Sequence, residues 1–129
     1  MAPGTAIELV SEVSGRVIWV APEFVVGGAI KQGATLLRID PIDYEVALSG
    51  ARAALASAEL SLQEAQVVVM KAAIEEAQAQ VQAAKDRLRQ AEVDLANTEI
   101  TAPFDAIIDS KGADLGQYVQ AGTALMKLL

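Results

Sequence analysis

Residues 27–36 read Gly-Gly-Ala-Ile-Lys-Gln-Gly-Ala-Thr-Leu, and residues 116–125 read Gly-Gln-Tyr-Val-Gln-Ala-Gly-Thr-Ala-Leu. Gly27, Ile30, Gly33 and Leu36 recur as Gly116, Val119, Gly122 and Leu125, every pair 89 residues apart. Four matches at a single offset point to two halves of one pseudo-symmetric unit. Each half offers turn glycines, an inward aliphatic residue and a closing strand, Thr35 to Ile39 in one and Ala124 to Leu128 in the other. Neither half can bury its apolar face alone, so the two are expected to pair as a small two-layered β sandwich. The flanking sequence agrees. Segments 1–40 and 99–129 alternate β-branched and polar residues around glycines, Gly15 among them, the pattern of short strands broken by turns.

Between the halves, the 58 residues from Pro41 to Thr98 hold only one glycine, Gly50, and are rich in Ala, Leu, Gln and Glu. That composition predicts helix. Asp40 can cap the free amides, Pro41 suits the first helical position, and Asp43 puts a negative charge in the first turn. Apolar residues then fall at Tyr44, Leu48, Ala51, Leu55, Ala58, Leu62, Ala65 and Val69, a 4-3-4-3 spacing that makes a coiled-coil seam. A second seam runs Ile74, Ala77, Val81, Ala84, Leu88, Ala91, Leu95 and Thr98. The five-residue step from Val69 to Ile74 breaks the register, so two antiparallel helices are expected, with a turn near 70–74. Lys71 would favour the end of the first helix, and Glu75 and Glu76 the start of the second. At 1.5 Å per residue, helices of about 27 residues give an arm of roughly 40 Å.

An antiparallel coil can set Leu against Ala in every layer in two alignments one heptad apart. The first places Leu55 opposite Ala91 and Leu62 opposite Ala84, and its flanking pairs Arg52–Glu92 and Glu59–Lys85 attract. In the second, Arg52 faces Lys85. Charge therefore selects the first alignment and puts the turn near Ala73, by only about 0–1 kcal/mol per exposed pair. The stretch Met70-Lys71-Ala72-Ala73 lacks Gly, Pro, Asn and Asp, so one continuous helix swapped with a second chain would satisfy the same near-palindromic seam. Gly50 lies on the outer face of the first helix, where it costs about 1 kcal/mol relative to alanine.

Bulk composition narrows the function. The formal charge is −7, from 10 basic and 17 acidic residues, with no basic run to neutralise phosphates, so nucleic acid is excluded as a partner. Neither cysteine nor histidine occurs, which removes thiolate chemistry, Cys/His zinc sites and imidazole-based triads. No apolar run approaches the roughly 20 residues that span a bilayer. Met1-Ala2-Pro3-Gly4 shows no basic n-region, no apolar h-region and no cysteine to lipidate, the expectation being either a cytosolic chain or a piece of a longer one.

Several motifs resemble those of the periplasmic adaptors, the HlyD-like membrane fusion proteins of resistance-nodulation-division efflux pumps. Ser14-Gly15-Arg16-Val17 is similar to the family's opening lipoyl strand and turn, and Gly28-Ala29-Ile30-Lys31-Gln32-Gly33 to the turn that follows. Leu36 to Tyr44 looks like the way into a helical hairpin, and Thr98-Glu99-Ile100-Thr101-Ala102-Pro103-Phe104-Asp105 like the way out. Gly116-Gln117-Tyr118-Val119 with Gly122 resembles the closing half. The resemblance implies an α+β fold: a lipoyl/biotinyl-like barrel-sandwich hybrid in two halves, 1–40 and 99–129, with an antiparallel coiled-coil hairpin at 41–98. Its turn positions would be Gly15, Gly33, Gly116 and Gly122, and its seam would include Leu48, Leu55, Leu62, Val81, Leu88 and Leu95. It further implies a periplasmic subunit attached to the inner membrane, self-associated in a ring as a trimer or hexamer. That subunit would join an inner-membrane transporter to an outer-membrane duct through a hairpin tip at Met70, Lys71, Ala72 and Ala73. No reaction, cofactor or metal is implied. Two positions depart from the pattern: residue 106 is alanine where the family carries glycine after Pro-Phe-Asp, and the Arg, Leu and Ser pattern of duct-docking tips cannot be placed around Met70.

Three other functions compete. A lipoyl or biotin carrier needs a lysine at an exposed β-turn between the half-units, a place occupied here by the helical insert; Lys31 and Lys111 lie elsewhere and read as solvated charges. An enzyme using paired carboxylates would need Asp105, Asp109 and Asp114 to converge in a pocket. Trp19, Phe24, Phe104 and Tyr118 could line a groove but are expected to fill the β core. A plain coiled-coil spacer has no need of the β repeat.

Overall fold

The structure, a computed structural model, describes residues 6–129. The elements run β1 (Ile7–Val10), β2 (Gly15–Val20), β3 (Ala29–Ile30), β4 (Thr35–Ile39), α1 (Ile42–Val68), α2 (Lys71–Ala96), β5 (Glu99–Thr101), β6 (Ala106–Lys111), β7 (Tyr118–Val119) and β8 (Ala124–Leu128). They form two compact units. One comprises the segments up to Pro41 and from Ala96 to Leu129, the other Ile42–Leu95.

The β unit is two four-stranded sheets ordered β1-β8-β6-β3 and β5-β4-β2-β7, with every ladder antiparallel. Exchanging β1–β4 for β5–β8 turns one order into the other. Each half lends its two-residue strand to its partner: β3 pairs with β6, and β7 with β2. The loop bonds repeat as well. Gly27 N–H donates to the Ile108 carbonyl and Gly116 N–H to that of Val17, both at 2.8 Å. Gly33 N–H bonds Ala102 and Gly122 N–H bonds Ser11, at 2.8 and 2.7 Å. All four glycines sit at positive φ, 85°, 87°, 83° and 90° for Gly27, Gly116, Gly33 and Gly122. An L side chain costs about 1–2 kcal/mol in that region, which is why glycine recurs at these turns.

β4 and β8 carry the centre of the core. Leu36, Leu37 and Ile39 on one, and Leu125, Met126 and Leu128 on the other, are buried. Register shifts, between Thr35 and Leu37 on β4 and opposite Leu9 and Val10 on β8, let adjacent residues both turn inward. These aliphatic side chains fill the interior, so the aromatic residues do not form the core as expected. Only Phe24 is buried; Phe104 is partly exposed, and Trp19 and Tyr118 face outward. Trp19 is opposite Arg38, whose guanidinium lies 5.2 Å from the ring centroid.

Gly15 is not a turn residue. It opens β2, paired with Val119, and glycine is needed because a β-carbon there would collide with Ile39 Cγ2. Ala106 opens the corresponding strand β6 and is buried, so its β-carbon is accommodated. Thr98 also departs from expectation, being buried in the β unit, where its carbonyl accepts the Ile39 N–H at 2.7 Å, and it adds no layer to the coil.

The symmetry makes Leu36 and Leu125 equivalent. Leu36→Ala and Leu125→Ala should each lower stability by about 2–5 kcal/mol, by closely similar amounts. Urea denaturation followed by the fluorescence of Trp19, the single tryptophan and a residue of the β unit, measures this.

Candidate functional site

The three aspartates offered as paired carboxylates do not line a buried pocket. Asp105, Asp109 and Asp114 are all exposed. Asp105 accepts the Gln32 N–H at 2.7 Å, and Asp114 pairs with Lys111 at 2.8 Å. Lys111 is therefore more than a solvated charge: its ammonium also lies 4.9 Å from the Phe24 ring centroid. Lys31 is exposed. Among the described residues no group of three or more His, Cys, Asp or Glu could hold a metal ion. The β4–β5 connection, where a carrier would present its lysine, is the whole helical unit.

The hairpin is organised by its seam. In α1 the residues withdrawn from solvent are Tyr44, Leu48, Ala51, Leu55, Ala58, Leu62 and Ala65, together with Ala54; the rest of the helix is exposed. In α2, Ala77, Val81 and Ala91 are buried, and Ile74, Ala84, Leu88 and Leu95 partly so. Leu48, Ala51 and Ala91 form a cluster on which Leu88 and Leu95 pack. This is the alignment in which Leu48 meets Ala91, one heptad from the alignment that charge favoured. Continued along both helices, it sets Leu55 against Ala84, Ala58 against Val81, Leu62 against Ala77 and Ala65 against Ile74. A shallow groove bordered by Ala54, Ala58, Gln80 and Ala84 agrees with that register.

The expected pairs Arg52–Glu92 and Glu59–Lys85 are not among the ion pairs of the described residues. Two constraints outweigh them. The β4–β5 ladder pairs Arg38 with Glu99, and counting inward in equal steps from that pair meets at Val68 and Val69. The large-against-small layers then continue to the turn, each buried Leu contributing about 1.5–3 kcal/mol against about 0–1 for an exposed charge pair.

The turn consists of Val69 and Met70 alone. α1 ends at Val68, and Val69 N–H still bonds the Ala65 carbonyl at 3.1 Å. Val69 adopts φ 59°, left-handed for a β-branched residue, and the Met70 carbonyl accepts the Ile74 N–H at 3.0 Å as α2 begins. Strain of about 1–2 kcal/mol thus replaces the missing glycine. A continuous helix is disfavoured by phase: a five-residue step at 100° per residue would leave the second seam roughly 140° from the first. The helices accordingly close on each other within one chain. Lys71 does not end α1. It starts α2, where it pairs with Glu75 at 4.0 Å on the surface.

Of the residues expected at the tip, Met70 lies in the turn, while Lys71, Ala72 and Ala73 form the first turn of α2. Beside the exposed Lys71 and Ala72, the residues Val67, Val68, Val69 and Met70 are 81%, 63%, 76% and 59% exposed. A run of four exposed apolar residues is costly in water unless something covers it. Its signal was present in the sequence, because Val67 and Val68 belong to neither seam.

The profile described as the RND MFP barrel-sandwich hybrid domain matches residues 5–129. The multidrug resistance protein MdtN of Escherichia coli K12 is 43% identical over 58 residues, which is 45% of this chain and 16% of MdtN. The present chain therefore corresponds to a small part of that relative. A crystal structure of a MacA–MexA chimera containing the Pseudomonas aeruginosa MexA α-hairpin is 28% identical, with a TM-score of 0.80 over 97% of this chain and 48% of the chimera. A Bacteroides eggerthii structure described as an efflux transporter shares the fold at a TM-score of 0.88 and 24% identity, over 96% of this chain and 39% of its own.

Cysteines introduced together at Leu48 and Ala91 should form a disulfide within one chain, seen as a mobility shift without dimer, whereas cysteines at Leu55 and Ala91 should not. Replacing the strained valine, Val69→Asn should raise the hairpin's melting temperature, by a gain of about 1 kcal/mol, followed by circular dichroism at 222 nm.

Proposed function

This chain belongs to the RND membrane fusion protein family, and from that premise we propose that it forms the sandwich and hairpin of a periplasmic adaptor linking an inner-membrane transporter to an outer-membrane duct. In this reading the adaptor is attached to the inner membrane, copies assemble in a ring through their β units, and the hairpin turn touches the duct. The exposed apolar run Val67 to Met70 at the turn is the observation that carries the proposal. Along α1 the helical rise separates Ile42 from that turn by roughly 40 Å. A seam of interlocked large and small layers keeps the two helices together over this distance, so a contact made at the turn is borne by both. The sandwich is stable because each half completes the other's sheet.

The chemistry of the turn indicates an apolar contact. With four apolar residues outward, the partner surface should be a hydrophobic groove, and binding should persist at high salt.

A photo-crosslinker attached through Met70→Cys in the intact protein, in cells, tests the assignment; no natural cysteine interferes. An adduct with an outer-membrane duct protein is expected, and Val68→Asp should reduce its yield by roughly tenfold while leaving the helices folded. Adducts that arise only from probes on the β unit would mean indirect docking. No envelope adduct from any position would leave a coiled-coil spacer as the function.

A further inference from the structure

The chain holds three methionines and no cysteine. Met1 lies outside the described residues, Met126 is 2% exposed in the β core, and Met70 is 59% exposed in the hairpin turn. The turn itself brings the Met70 thioether to the surface. One seam ends at Val69 and the other begins at Ile74, so Met70 belongs to neither. Val69, in its left-handed conformation, follows the last residue of α1, and Met70 stands between it and the first residue of α2. The neighbouring side chains Val67, Val68 and Val69 are hydrocarbon alone and resist mild oxidants, whereas a thioether sulfur does not. Within this exposed apolar run, the Met70 sulfur is therefore the atom whose chemistry can be changed.

We propose that Met70 is a site of reversible oxidation by hypochlorous acid, and that its sulfoxide stops the turn from docking. In this step an S–O bond forms and the O–Cl bond breaks. Sulfur gives up two electrons, chlorine takes them and leaves as chloride, and the hydroxyl proton passes to water. A polar sulfoxide then stands where an apolar group stood. Its oxygen is a hydrogen-bond acceptor, and burial against a hydrophobic groove leaves that acceptor without a donor, which opposes the contact. Oxidation acts on copies whose turn is free, because a docked turn is covered. The helices are unaffected, since Met70 is in neither seam and its carbonyl, which accepts the Ile74 N–H, is unchanged. A methionine sulfoxide reductase reverses the step, a dithiol supplying two electrons and the oxygen leaving as water. The inference rests on the turn contact proposed above and adds its regulation.

The test uses purified intact protein with a photo-reactive benzophenone residue in place of the exposed Ala72. It is treated with a small excess of hypochlorous acid, quenched with free methionine, and irradiated with outer-membrane vesicles from the bacterium that makes it. Peptide mass spectrometry should show Met70 gaining one oxygen, about 16 Da, roughly tenfold faster than the buried Met126. The adduct with a duct protein, identified by its peptides, should fall roughly tenfold in yield. Circular dichroism at 222 nm should stay the same, and methionine sulfoxide reductase with dithiothreitol should restore the yield. Met70→Leu keeps the turn apolar without sulfur, so its yield should survive the oxidant. Equal oxidation of Met126 would overturn the inference, because exposure would not then select Met70. An unchanged yield from protein carrying the sulfoxide, or an equal loss in Met70→Leu, would also overturn it and leave the adaptor reading standing. If no adduct forms before oxidation, the turn contact fails and the inference fails with it.

Discussion

Each half of the β unit lacks a strand that only the other half can supply. β3 sits on β6 and β7 on β2, so no half can complete a sheet alone, and the glycine turns at 27, 33, 116 and 122 are bonded across the halves. This reciprocity holds two segments far apart in the chain in register. It brings β4 beside β5, with Arg38 opposite Glu99, so the β unit joins the two ends of the helical insert. The insert occupies what would otherwise be a simple β-hairpin turn.

Register in the coil follows from that junction. The charged pairs that favoured another alignment are exposed, screened and weak. The β4–β5 ladder and the apolar layers of the coil act together, and the turn falls at Val69 and Met70. A left-handed valine is the consequence. Its strain is tolerated because sliding the coil by a heptad would leave apolar residues unmatched at both ends, at a cost above the 1–2 kcal/mol of one strained residue.

Function on this reading is a matter of surfaces. The hairpin ends in an apolar run, and the sandwich presents two faces whose backbones correspond and whose side chains do not. Pseudo-symmetry is kept in the interior, where it holds the fold, and is lost outside. The inner positions Leu36 and Leu125, or Ile30 and Val119, stay aliphatic because they share one core, whereas Tyr118 and Ala29 are free to diverge.

By itself the sequence determined the repeat, the two seams and the existence of a helical hairpin between two β halves. Those features arise from local periodicity and from glycines at positions of positive φ, both written in the order of residues. It also held the Val67–Met70 run beside the break between the seams, though the turn expected from that break lay a few residues further on. Tertiary structure decided which of two near-equivalent coil registers forms, because the β4–β5 pairing joins residues such as Arg38 and Glu99, 61 positions apart, and outweighs local charge. It decided too that Trp19 and Tyr118 face outward, since aliphatic residues from both halves fill the interior first, and that Gly15 is needed for close packing against Ile39.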